Sequence, residues 1–121
     1  NNYVSAAGLA AACEAVIVAK RFGVDPEVLV DVLNASTGRN NSTELKLKPL
    51  ILSRSFASGF SMALMAKDLR TAADLGGELG LKASGTQSAA ELWTRAAAAL
   101  GRSADHTEIF RYLETESGRA A

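Results

Sequence analysis

Apolar residues recur along this chain at three- and four-residue intervals and nowhere alternate with period two over a useful length, which predicts helices and no sheet. From Asn2 to Phe22 alanine is dense and apolar side chains cover nearly every helical face, the pattern of a helix enclosed by neighbours on several sides. Lys20 and Arg21 suit the dipole in its last turn, and Gly23 is the stop. A second helix opens on Asp25-Pro26-Glu27, which supply a cap, a preset φ and a first-turn acid. Val28, Leu29, Val32 and Leu33 form its stripe, and it should end near Ala35. Residues 36–43 are turn formers and read as a polar loop. Leu45, Leu47, Leu50, Ile51 and Leu52 suggest a short helix whose limits Pro49 obscures, followed by a loop over 55–59.

A fourth helix is predicted from about Ser61 to Gly80, weakened late by Gly76-Gly77. Residues 81–85 connect it to a fifth, from Thr86 to Leu100, which stops at Gly101. Asp105 with Glu108 three residues on is a capping-box pattern for a sixth, which should fray after Glu114. The expected architecture is one all-α domain over residues 1–116, of five to six helices, with a long buried first helix wrapped by shorter ones. Residues 117–121 read as a disordered tail. The chain opens directly into a helical pattern without an initiator Met, and we expect a fragment of a longer protein.

At 121 residues the chain is one domain long and can bury a real core. Thirteen basic residues balance thirteen acidic ones, so no nucleic-acid or anionic-membrane partner is expected. The apolar run over 6–19 is interrupted by Glu14 and too short to span a bilayer, and it lacks the basic start and cleavage site of a signal peptide. Cys13 is the only cysteine, which rules out an internal disulfide and fits a reduced, cytoplasmic setting. Among alanines and valines it reads as a small buried hydrophobe. The single histidine, His106, reads as a surface residue at the start of the last helix. One His and one Cys make a poor zinc site, so no metal is expected. No glycine-rich dinucleotide loop, phosphate loop, C-x-x-C or H-E-x-x-H is present.

Two polar clusters remain. Asn1-Asn2 stands at the mouth of a very apolar helix, where two amides could simply cap it. Lys67 interrupts the apolar face of the fourth helix, where it could snorkel to solvent or reach into a cleft. Asp68, its neighbour, points about 100° away around the helix, so the two are not a surface pair. Trp93, Met62 and Met65 are most simply core, and Glu14 is most simply structural.

These clusters carry a resemblance. Asn1-Asn2 looks like the end of the K-x-x-N-N motif of the β-hydroxyacid dehydrogenases, the group with 3-hydroxyisobutyrate dehydrogenase and tartronate semialdehyde reductase. Leu33-Asn34-Ala35-Ser36-Thr37-Gly38-Arg39 resembles its L-N-x-S-x-G-R loop. Gly59-Phe60 followed by Leu64-Met65-Ala66-Lys67-Asp68-Leu69 resembles its G-F-x-x-x-L-M-x-K-D-L segment. The three stand in family order, and the resemblance covers about residues 1 to 115.

The resemblance implies the C-terminal helical domain of an NAD(P)-dependent oxidoreductase, built like the C-terminal bundle of 6-phosphogluconate dehydrogenase. A hydride would pass between the nicotinamide of NAD or NADP and a small 3-hydroxy acid or its semialdehyde. The cofactor would be bound mainly by a Rossmann domain outside this chain. The motif lysine, the general acid/base, would stand three residues before Asn1, on the helix face it shares with Asn2. Asn2 would take the catalytic, substrate-positioning place. Lys67 and Phe60 would face the cofactor, and Asn1, Asp68 and Ser36 would line the cleft. Asn40-Asn41 replaces a bulkier family residue and favours a polar, hydroxylated acid. The family also implies a homo-oligomer, dimer or tetramer, and a fragment inactive by itself. Two other readings stay open: a non-catalytic helical interaction module, and an imine-reducing relative with a different proton donor at the motif lysine.

Overall fold

In the computed structural model, residues 1–116 and 118 are described, and they are helical with no strand among them. Helix α1 (Asn2–Phe22) ends where Gly23 turns left-handed at φ 100 and its N–H closes on the Ala19 and Lys20 carbonyls. Helix α2 (Pro26–Asn34) starts as its sequence requires, with the Asp25 carboxylate accepting the Glu27 N–H at 2.8 Å. Helix α3 (Asn41–Leu45) begins inside the stretch expected to be loop. Asn40 and Thr43 exchange side-chain and backbone hydrogen bonds at 2.9 Å, a capping box closed by Thr in place of the usual Glu or Gln. A π-helical turn (Leu47–Leu52) follows, in which the Leu50 and Ile51 N–H groups both reach the Lys46 carbonyl at 3.0 and 3.2 Å. Pro49 supplies no donor to this turn, which suits a widened turn better than a regular one.

Helices α4 (Met62–Glu78) and α5 (Ser84–Leu100) form the most extensive helix pair, and α4 passes through Gly76-Gly77 without a break. The Asp105–Glu108 capping box opens a 3-10 turn (His106–Glu108) that leads into α6 (Ile109–Glu116). The tail expected over 117–121 lies outside the described residues apart from Gly118, whose carbonyl accepts from Arg21.

The core lies between the inner face of α1 (Ala6, Leu9, Cys13, Val16) and α4 and α5, with Trp93, Leu69 and Met62 fully buried. The expectation that α1 is enclosed on all sides is corrected. Opposite its packed face, Val4, Val18 and Phe22 stand 71%, 67% and 86% exposed. The helices that meet α1 cover one face of it, so an all-round apolar sequence is left half bare. At 21 residues α1 is long and apolar enough, by length and composition alone, to cross a membrane, although the run over 6–19 had read as too short.

His106 is also corrected. It is only 3% exposed, its ring stacks on Trp93 at 6.5 Å and meets Phe60 edge-on at 5.6 Å. The Asp105 cap turns the imidazole inward, towards the α4 entry, where Ser61 and Asp105 form an isolated antiparallel bridge. The Lys46 ammonium lies 3.1 Å from His106 Nε2, and an ammonium can only donate. Nε2 is therefore the acceptor, and Nδ1 carries the proton towards the Phe60 carbonyl at 3.1 Å and Ser58 Oγ at 3.0 Å. Burial first, then Lys46, pushes His106 below its ordinary pKa of 6.5, against the Phe60 bond and Asp105. Burial pushes the Asp105 carboxyl up, but hydrogen bonds from Thr107, Ser58 and Gly59 outweigh it and hold the group low.

Because folding favours neutral His106, its contribution is complete above the unfolded pKa and is lost as pH falls from 6.5 towards the depressed folded value. Urea midpoints measured across pH should fall over that window in the wild-type chain. The same drop should be absent in His106→Gln, which is less stable but flatter with pH.

Candidate functional site

Three of the sequence-nominated residues meet where α1 begins. The Asn2 side-chain N–H donates to Asp68 Oδ2 at 2.7 Å, across 66 residues of sequence and half-buried. Asn1 in turn donates to Asn2 Oδ1 at 3.2 Å. Helix α4 brings Asp68 here because its start is pinned twice. Ser61 caps the Leu64 N–H at 3.0 Å, and the Met62 N–H bonds the Ala104 carbonyl at 2.9 Å. Met65, Ala66 and Leu69 then bury one face of α4 and leave Asp68 at its edge.

Lys67 stands on the same turn, exposed, and its ammonium makes no hydrogen bond or ion pair among the described residues. It is the free cation next to the pair, and its own carbonyl accepts from Thr71 at 3.1 Å. Tyr3, which sequence reasoning missed, closes the side of the site. A Cβ on Gly85 would sit 2.6 Å from the Tyr3 hydroxyl, so the start of α5 is pressed against the start of α1. The sequence pattern puts Gly85 at the end of a connector, whereas it lies in the first turn of α5, where a missing side chain lets another element approach.

The remaining nominated residues lie elsewhere. Phe60 packs edge-on against His106, and its carbonyl accepts the His106 N–H at 2.8 Å, so it buttresses the entry of α4. Ser36 is exposed in the turn after α2, where its carbonyl accepts from the Arg39 N–H at 3.3 Å. Asn40 is committed to structure. It caps α3 and donates to the Gly8 carbonyl at 3.3 Å.

Chemically, the cluster can position but has no obvious proton carrier. An amide does not exchange protons as an acid/base near neutrality, and Asp68 is already hydrogen-bonded to it. The Asp68 bond fixes which way the Asn2 amide points, leaving one Nδ2 proton and one Oδ1 lone pair for a ligand. For a dinucleotide, the described residues offer Lys67 as a cationic contact. They contain no strand followed by a glycine-rich turn, the usual cradle for a pyrophosphate. They also hold no group of three His, Cys, Asp or Glu placed to bind a metal.

A family profile described as NAD-binding of NADP-dependent 3-hydroxyisobutyrate dehydrogenase matches residues 1–113. The 2-(hydroxymethyl)glutarate dehydrogenase of Eubacterium barkeri is 30% identical over 119 residues, 98% of this chain and 39% of that protein. The 2-hydroxy-3-oxopropionate reductase of Escherichia coli (strain K12) is 30% identical over 94% of this chain and 39% of its own length. Among solved structures, a Mycobacterium tuberculosis 3-hydroxyisobutyrate dehydrogenase with L-serine superposes with a TM-score of 0.81 at 30% identity, covering 93% of this chain and 40% of that one. The chain thus spans about two fifths of the length of these relatives. The profile's description assigns NAD binding to this region, where the sequence had suggested a cofactor held mainly elsewhere.

The Asn2–Asp68 bond should show as coupling. In a double-mutant cycle with Asn2→Ala and Asp68→Ala, urea unfolding should give an interaction energy of about 1–2 kcal/mol, the range for a partly buried bond to a charged group. Additive losses would mean that the two side chains do not hold each other in solution.

Proposed function

The chain belongs to the 3-hydroxyisobutyrate dehydrogenase family, whose cofactor is NAD(P), and from that premise we propose that it is the C-terminal helical part of a longer oxidoreductase acting on a small 3-hydroxy acid or its semialdehyde. The observation that carries the reading is the Asn2–Asp68 hydrogen bond at 2.7 Å, which joins two separate family motifs at one point. When bound, NAD(P) supplies or accepts a hydride at the hydroxyl-bearing carbon.

On this reading Asp68 orients and Asn2 holds. With Nδ2 directed at Asp68, the free lone pair of Asn2 Oδ1 accepts the substrate hydroxyl, and the second Nδ2 proton donates to a substrate oxygen. Lys67, exposed and unpaired one residue before Asp68, neutralises an anionic group of substrate or cofactor at the rim. Proton transfer falls to the motif lysine three residues before Asn1, one helical turn from Asn2 on the same face. The bare face of α1 (Val4, Val18 and Phe22) supports a homo-oligomer built through this helix.

In the full-length enzyme, Asn2→Ala should lower kcat/KM about 100-fold, because a substrate-positioning contact is lost, with unchanged circular dichroism. Lys67→Met should raise KM and leave kcat nearly intact, the pattern of a rim contact. An Asn2→Ala enzyme within about twofold of wild type would overturn the reading. For assembly, light scattering should find the wild type as a dimer or larger and Phe22→Asp shifted towards monomer. A monodisperse wild-type monomer would remove the oligomer.

A further inference from the structure

Near the other end of α1, a cavity of about 260 Å³ opens between α1, the start of α2, the π-helical turn and α6. At about 1.5 Å per residue, ~27 Å of helix separates Asn2 from Lys20, so this cavity is remote from the Asn2–Asp68 pair and shares no residue with it. Its floor is core. Val16, Ile51 and Phe110 line it, and each is buried, so the apolar surface is already formed.

Four charged residues ring it, and three have partners. Asp25 accepts the Glu27 N–H at 2.8 Å, and Glu27 lies 3.7 Å from the Lys48 ammonium. Arg54, in the left-handed region at φ 61, grips Glu114 with two bonds of 3.2 and 3.0 Å and covers the Phe110 ring at 5.8 Å. Lys20 has no hydrogen bond or ion pair among the described residues.

We propose that this cavity binds a small aliphatic monocarboxylate, with its branched chain on Val16, Ile51 and Phe110 and its carboxylate on the Lys20 ammonium. An apolar floor beneath one unpaired cation matches an apolar body carrying one negative charge. Asp25 and Glu27 on the same rim raise the cost of each negative charge a ligand carries, which favours a monoanion over phosphates, dicarboxylates and nucleotides. The volume is below that of a drug-sized pocket and admits a ligand of roughly eight non-hydrogen atoms. The inference is independent of the family reading, because it uses none of that site's residues.

Methyl NMR of the chain, titrated with 4-methylpentanoate, tests it. Saturable shifts at the Val16, Ile51 and Leu52 methyls are expected, with a Kd on the order of 1 mM. Lys20 is exposed, so Lys20→Gln should keep the fold and weaken binding about fivefold, a change of roughly 1 kcal/mol. The alcohol 4-methylpentanol should bind the wild type about as weakly as the acid binds Lys20→Gln, and inorganic phosphate should leave these methyls unmoved. No saturation by about 20 mM, or equal affinity for acid and alcohol, would overturn the proposal. So would shifts centred on α4, or shifts that follow protein concentration because a second copy covers the cavity.

Discussion

Close approach to α1 is the constraint that every other helix in this chain meets, and small side chains make it possible. Ala6, Ala10 and Ala12 are buried on its packed face, and a Cβ on Gly8 would come within 2.9 Å of the Asn40 amide. That approach lets Asn40 cap α3 while touching the α1 backbone, so one side chain both starts a helix and docks it. At the start of α1 the same closeness presses Tyr3 against Gly85 and brings Asp68 within 2.7 Å of Asn2. The polar cluster is therefore a by-product of backbone spacing. A larger residue on the inner face of α1 would move α4 away and separate Asn2 from Asp68 without touching either.

A second constraint holds the entry of α4. His106 sits beneath Trp93 and Phe60, with Lys46 at 3.1 Å and the Asp105 cap beside it. Four segments meet there: the end of α3 through its cap Lys46, the loop before α4 through Ser58 and Phe60, α5 through Trp93, and the turn that leads into α6. Such a network specifies register because every polar atom in it needs a partner of the right kind. Neutral His106 satisfies Lys46 with one nitrogen and Phe60 with the other, whereas a protonated ring would face the ammonium with a donor. The Phe60 position, nominated for a ligand, acts on the site indirectly by fixing where α4 begins.

Much of this was legible in the sequence. Helix α1 and the Asp25 and Asp105 caps follow from local chemistry, because a cap, a glycine stop and an apolar stripe act within a few residues. Asn2 and Asp68 were nominated from separate motifs, and the structure joins them. The misses share a cause. Whether α1 is enclosed depends on how many helices reach it, and whether His106 is buried depends on where the Asp105 turn aims it. Both are set by residues distant in sequence. The Asn40–Thr43 box was hidden by its unusual Thr, and Tyr3 carries no motif at all. Its importance comes from the absence of a side chain at Gly85.

The two ends of α1 are suited to different tasks. At its start, amides and one carboxylate fix direction with hydrogen bonds of 3.2 and 2.7 Å, and the nearby cation is exposed at the surface. Fixed amides discriminate ligands by geometry, since an oxygen misplaced by an ångström loses the bond. At the other end, the unpaired charge is mounted on a long flexible lysine above an apolar floor, which selects by charge and bulk and tolerates displacement. The start of the helix is held to α4 by the Asn2–Asp68 bond and pressed on α5 by Tyr3 against Gly85, so its polar groups are fixed in direction. Near Lys20 the neighbours around the cavity are the start of α2, the π-helical turn and α6, and the exposed lysine is held by none of them.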